Sequence, residues 1–378
     1  MAHSPIIERH AFRRRPRALP DGLEQLSPES QAALRQFSPE RLVAYGLARE
    51  DADELLSRVA QGDGWQAVAC ELEDRLPASG HGLAPATTAG VLFRKAAIAR
   101  ASQMMMIADT AERRHIFARA AGLYASAGAI ARDRARLVLR GAGGMSLAGW
   151  RFAAAQPIAA AVVWGGVEGW AMDFAAMGEA LAARGIVAYL IDGPGQGETR
   201  LAHGLYFGPG WQFHWRAVVD QVEAETRGLP LFMVGNSMGG CMTMNYAPHD
   251  SRIRAVCSNG GPLRPPPLIG DLPSKLRKFV VFCGDADAGA VWGALDSARE
   301  MARSSQPLLI LHGGADPLVT EAEVLEIAAR AGAEDVRVVV YSDGDHCIYN
   351  HPADKHDLIA EWIRAAARRQ SGHPSCWR

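Results

Sequence analysis

The chain has 378 residues, 48% of them hydrophobic, with 40 Lys and Arg against 41 Asp and Glu and a net charge of −1. That is enough apolar material for a sizeable core and too little charge for a disordered chain, and it lacks the basic excess of a nucleic-acid surface. At about 150 residues per domain, the length implies one large domain or two ordinary ones.

The only lysines are Lys95, Lys275, Lys278 and Lys355, so the cations are nearly all arginine, as a GC-rich codon bias would give. No run reaches the ~18–20 apolar residues a bilayer span needs, and no apolar stretch follows Arg13, Arg14 and Arg15 as in a secretory signal. Six cysteines, Cys70, Cys241, Cys257, Cys283, Cys347 and Cys376, show no CxxC spacing. Reduced thiols in a cytoplasmic protein are expected, with neither a membrane nor a nucleic acid as partner.

Residues 1–133 read as an all-helical domain. Ser27-Pro28-Glu29 and Ser38-Pro39-Glu40 are helix starts, a serine cap followed by proline at the first helical position. Apolar residues at three- and four-residue spacing predict helices over 28–37, 39–48, 50–60, 64–75, 86–107 and 110–132. Strand-like alternation is absent before about Arg134. From there to 378 the pattern is α/β. Short β-rich runs fall at 135–140, 147–153, 158–164, 187–191, 230–235, 253–258, 307–312 and 336–341. Helical stretches lie at 171–184, 212–227, 238–246, 320–332 and 354–369. Continuously apolar runs such as Ile158–Trp164 are strands buried on both faces, and strand alternating with helix implies a doubly wound, mostly parallel sheet of eight strands. The first two strands have no helix between them and predict an antiparallel pair. The Pro-rich 262–273 opens an excursion, 262–304, that could serve as an additional lid.

Gly235-Asn236-Ser237-Met238-Gly239 follows an apolar strand and opens a helix, the context of a nucleophile elbow. Such a turn holds serine at positive φ, and glycines two residues either side avoid collision. A serine hydroxyl needs a base, and the base an orienting acid. In folds with this elbow the acid and then the histidine follow in chain order. Asp316 lies just past the seventh predicted strand and His346 just past the eighth, both at C-terminal strand ends where open sheets place ligands. The rival histidines fit less well: His351 enters the last helix, His312 precedes the acid's turn, and His214 comes before the serine. Two backbone donors must meet a developing oxyanion. One is Met238, at the positive end of its helix. The other falls in Trp164-Gly165-Gly166-Val167-Glu168-Gly169, with Gly166 first and Val167 second. Asp192-Gly193-Pro194-Gly195-Gln196-Gly197-Glu198 lacks the lysine of a phosphate loop and reads as a rigid turn beside the site. No His/Cys/carboxylate set has metal-ligand spacing, so neither a metal nor a cofactor is expected.

Taken together, these motifs over about residues 134–370 resemble the α/β-hydrolase superfamily. The Gly165-Gly166 turn, the Ile191–Glu198 string and Asp345-His346 followed by Asn350 narrow the resemblance. They are similar to the branch holding 2,6-dihydroxypseudooxynicotine hydrolase, FrsA-like esterases and fungal hydrolases that shorten pigment polyketides. The resemblance implies a helical N-terminal cap over the catalytic site and homodimers. It also implies hydrolysis of an ester or of a C–C bond next to a ketone.

The resulting expectation is a serine hydrolase with a Ser237-Asp316-His346 triad. It would cleave an ester, thioester or ketone-adjacent C–C bond of an aromatic or polyketide-like small molecule, in secondary metabolism or aromatic catabolism. Trp164, Trp170, Trp211 and Glu168 are the candidate substrate contacts, since aromatics crowd the motifs. C–C cleavage needs the leaving carbon protonated, by an extra carboxylate near the site or, for a β-diketone-type substrate, by His346 alone. After strand 253–258 the chain reads Ser258-Asn259-Gly260, and Glu168 and Asp173 are the nearest alternatives. The competing readings are an acyltransferase, cyclase or lyase using the same triad without net hydrolysis, and a non-catalytic binder.

Overall fold

A computed structural model describes residues 4–11, 18–77 and 83–370; Arg13, Arg14, Arg15 and Cys376 lie outside them. The chain divides into two compact units, Arg15–Arg136, and Met1–Arg14 with Leu137–Arg378.

The first unit is helical: α1 (Pro28–Gln36), α2 (Pro39–Ala44), α3 (Arg49–Ala60), α4 (Trp65–Asp74), α5 (Pro85–Ser102) and α6 (Ala111–Ala131). Both serine caps form as expected. The Ser27 hydroxyl accepts the Ser30 N–H and the Ser38 hydroxyl the Arg41 N–H, each at 3.1 Å. Ile116, Phe117, Ala120, Tyr124 and Ala127 form the buried stripe of α6. Trp65 stacks on Phe37 and donates its indole N–H to the Ala101 carbonyl at 2.9 Å. Helix α5 stops at Ser102, before Met104–Met106, although no Pro or Gly there announces an end.

The second unit is built on a nine-stranded sheet: β1 (Ile6–His10), β2 (Arg134–Arg140), β3 (Ser146–Phe152), β4 (Ala159–Trp164), β5 (Ile186–Asp192), β6 (Leu231–Asn236), β7 (Ile253–Asn259), β8 (Leu308–Gly313) and β9 (Val336–Tyr341). The order is β1-β9-β8-β7-β6-β4-β5-β3-β2. Strand β3 runs antiparallel to β5, and the ladders joining β5, β4, β6, β7, β8, β9 and β1 are parallel. Every residue of β4, β5, β6 and β8 is buried, which is why those segments read as unbroken apolar runs. Helices α7 (Ala175–Ala182), α8 (Gly197–Leu201), α9 (Trp211–Thr226), α10 (Met238–Tyr246), α11 (Ser274–Cys283), α12 (Ala288–Gly293), α13 (Ser297–Met301), α14 (Glu321–Arg330) and α15 (Pro352–Gln370) complete the unit.

One expectation needs correction. The sheet has nine strands rather than eight, and the ninth comes from the segment expected to be helical: Ile6–His10 pairs with β9 in register Ile6 to Arg337. It is an edge strand with Ile6 and Ile7 half-exposed, so it carries none of the alternation that marks a half-buried strand. The 262–304 excursion holds three short helices, two of them started by aspartate caps. The Asp287 carboxylate accepts the Ala290 N–H at 3.0 Å and Asp296 that of Arg299 at 2.9 Å.

Candidate active site

The end of β6 turns sharply into α10, and Ser237 at the turn has φ 55° and ψ −127°. The glycines around it are sterically required. A Cβ on Gly235 would lie 2.2 Å from the Gly239 carbonyl oxygen, across the turn. One on Gly239 would meet the carbonyl oxygens of Gly165 and Trp164 at 2.3 and 2.7 Å, at the end of β4. The second glycine is therefore needed for strand-to-helix packing rather than to clear the elbow itself.

Ser237, His346 and Asp316 come together from three separate loops. His346 Nε2 is 2.8 Å from Ser237 Oγ, and His346 Nδ1 is 2.8 Å from Asp316 Oδ2. Asp316 Oδ1 accepts the backbone N–H groups of Leu318 at 2.8 Å and Val319 at 3.2 Å. Burial alone would raise the Asp316 carboxyl, but hydrogen bonds from His346 and these two amides outweigh it and hold it below the usual carboxylate range. Burial works against charge on His346; the adjoining Cys347 and Asp316 reverse that, and the imidazole is more basic than usual. The arrangement can take a proton from Ser237 onto His346 and stabilise the cation that forms.

The rival histidines do other things. His351 pairs with Asp343 at 2.7 Å, and His312 is buried in β8.

On the oxyanion side, Gly166 lies against the serine. A Cβ there would stand 2.9 Å from Ser237 Cβ and 3.2 Å from its Oγ. Met238 begins α10, so its N–H belongs to the first turn, whose donors no helix carbonyl takes. Val167 follows Gly166 and gives its carbonyl to the Trp170 indole N–H at 3.2 Å.

The candidate substrate contacts Trp164, Trp170 and Trp211 are buried side chains. Trp164 stacks on Trp215 with ring centroids 3.8 Å apart and planes 5° apart. Trp211 packs edge-on to Trp215 and against Phe207. Trp170 is fully buried beneath the Arg200 guanidinium. All four tryptophan rings are buried, and Trp164, Trp211 and Trp215 pack on one another. Glu168 is half-buried and paired with Lys278 of α11 at 3.3 Å, while Asp173 accepts the Trp170 N–H at 2.8 Å.

Several residues that no motif announced hold the three loops. Asn259, at the end of β7, accepts the Ser237 N–H on its carbonyl at 2.8 Å and donates its side-chain amide to the Asn236 side chain at 2.9 Å and the Cys347 carbonyl at 3.1 Å. The Lys355 ammonium donates to that same Cys347 carbonyl at 2.7 Å. Cys347 and Ile348, right after the histidine, both have positive φ, 59° and 55°, a strained turn that these bonds hold in place. Asp192 accepts the N–H groups of Ala171 and Glu198, at 2.8 and 2.9 Å, and burial pushes its carboxyl up to about 7. Among the described residues no group of three or more His, Cys, Asp or Glu could hold a metal, and no helix is long and apolar enough to cross a membrane.

This architecture, a mostly parallel sheet with a serine elbow after a central strand, is the α/β-hydrolase fold. Its similarities run to the branch that the motif strings resembled. Residues 155–281 match the family described as serine aminopeptidase, a span that holds Ser237 but neither Asp316 nor His346. The 2,6-dihydropseudooxynicotine hydrolase of Paenarthrobacter nicotinovorans is 30% identical over 220 residues, 55% of this chain and 57% of that protein. The chain thus spans little more than half the length of this curated relative. The crystal structure of 2,6-dihydroxy-pseudo-oxynicotine hydrolase superposes with a TM-score of 0.70 at 22% identity, covering 89% of this chain and 97% of that one. The structure of wild-type AbyA5 gives a TM-score of 0.65 at 17% identity, covering 88% and 93%.

Proposed function

We propose that the chain is a serine hydrolase acting on an ester, a thioester or a ketone-adjacent C–C bond of an aromatic or polyketide-like small molecule. Ser237 attacks the carbonyl carbon while His346 takes the hydroxyl proton, and Asp316 stays ionised and orients the imidazolium. The oxyanion is held by the amides of Met238 and of Gly166 or Val167. His346 returns its proton to the leaving group, and water, activated by the same histidine, releases the acid. The observation that carries this reading is the pair of 2.8 Å contacts linking Ser237, His346 and Asp316, with the serine held at positive φ.

The substrate class rests on the similarity to pseudooxynicotine hydrolase, since the tryptophans are occupied in the core. Glu168 in its ion pair and Asp173 at its amide make neither carboxylate a ready acid for a leaving carbon, which favours the ester and thioester arms. The proposal includes a cofactor-free reaction, a cytoplasmic location and a homodimer. The test is turnover of p-nitrophenyl acetate and its thioester counterpart in ¹⁸O-labelled water. A hydrolase places the label in the released acid, and the Ser237→Ala variant does not turn over. Full turnover by a folded Ser237→Ala protein would sink the reading, and unlabelled product on an added alcohol would favour acyl transfer.

A further inference from the structure

The side chain of Gln196, in the loop after β5, is fully buried and makes three hydrogen bonds. Its Nε2 donates to the carbonyls of Gly165 at 2.6 Å and Gly166 at 2.9 Å, and its Oε1 accepts the Gly193 N–H at 2.7 Å. Only one orientation of the amide satisfies all three, because two carbonyls need donors and one N–H needs an acceptor. Its backbone is occupied elsewhere: the N–H bonds the Gly193 carbonyl and the carbonyl accepts the Arg200 N–H.

A planar trans peptide points its C=O and its N–H in opposite directions. Holding the Gly165 carbonyl therefore aims the Gly166 N–H the other way, and holding the Gly166 carbonyl does the same for Val167. These two amides are the alternatives for the second oxyanion donor of the hydrolase reading, beside that of Met238, and Gly166 stands against Ser237. The far end of the same turn is tied to the same loop, through Asp192 and the Ala171 N–H.

We propose that Gln196 is the positioning residue of the oxyanion site, its single amide fixing the peptide planes that present the Gly166 and Val167 N–H groups. It touches no reacting atom. This rests on the serine-hydrolase reading, because an oxyanion is what a donor on this turn meets.

The test uses the full chain with Gln196→Glu, whose carboxylate cannot donate to two carbonyls, and Gln196→Met, which keeps length and removes only the hydrogen bonds. Active sites are first counted by fluorophosphonate titration. Then kcat and KM on p-nitrophenyl acetate are measured per active site, with the inhibition constant of an aryl trifluoromethyl ketone, whose serine adduct carries an oxyanion. The expected result is a fall in kcat of about 10- to 100-fold, below the ~10²–10³ that loss of a whole oxyanion donor costs. KM should be little changed, and the inhibition constant should rise by the same factor as kcat falls. The pH midpoint set by His346 stays in place. A merely structural role would lower the number of active sites and leave per-site kcat and inhibitor affinity alone. Per-site values within twofold of the parent in whichever variant folds would overturn the inference. Failure of the parent chain itself to react with fluorophosphonate would overturn the hydrolase reading and the inference together.

Discussion

Gly166→Ala separates the chemistry from the fold. The new Cβ would stand 2.9 Å from Ser237 Cβ, where carbon atoms prefer about 3.5–4.0 Å, so the turn or the serine must give by roughly 0.6–1.1 Å. Gly166 is not among the residues with positive φ, so alanine brings no backbone strain of its own. The comparison is Gly235→Ala, whose Cβ would meet backbone at 2.2 Å and damage the elbow itself. A misplacement of about 1 Å at a reacting centre can cost ~10²-fold in rate. Gly166→Ala should therefore fold, with circular dichroism and melting close to the parent, and lose about 10²-fold in kcat/KM. The assay is steady-state hydrolysis of p-nitrophenyl acetate, normalised to fluorophosphonate-titrated sites. A well-folded Gly166→Ala protein with parental kcat/KM would refute the placement of this turn at the reacting centre.

Three further outcomes follow from the geometry. Asp316→Asn leaves the shape but lets the wrong imidazole tautomer form, and kcat should fall by ~10⁴, as seen for triads of this kind; a loss below tenfold would contradict the orienting role. Because His346 must be neutral to act as base and is more basic than an ordinary imidazole, kcat/KM should rise with pH to a midpoint above 6.5. That midpoint should drop in Asp316→Asn, and a parental midpoint at or below 6.5 would count against the Asp316 contact. Lys355→Met concerns stability. Burial lowers the Lys355 ammonium to about 8 from 10.5, so between those values the unfolded chain binds more protons and stability rises with pH. Urea unfolding across this range should show the rise in the parent and a flatter line in Lys355→Met; equal slopes would contradict it.

Strands β2 to β9 were legible to within a residue or two, and in β4, β5, β6 and β8 the signature is an apolar run buried on both faces. Strand β1 was not, since half-exposed Ile6–His10 pairs with a strand more than 300 residues away and shows no period of its own. Helices α11 to α13 were missed because each is short and starts at a local cap or a proline rather than on a long apolar stripe. In the site, Ser237, Asp316 and His346 could be singled out because strand ends and chain order limit where such groups fall. The residues holding them could not. Gln196, Asn259 and Lys355 act through bonds to backbone carbonyls, and no side-chain pattern announces which carbonyl a buried amide or ammonium will reach. Aromatic crowding near motifs reads equally as a substrate wall or as packing, and in the structure Trp164 stacks on Trp215.

The most direct measurement is the site and stoichiometry of fluorophosphonate modification, read by intact mass and peptide mapping. One adduct per chain on Ser237, absent in Ser237→Ala and strongly slowed in His346→Ala, is the predicted result. An unmodified Ser237 in a folded protein, or equal labelling rates with and without His346, would contradict the account.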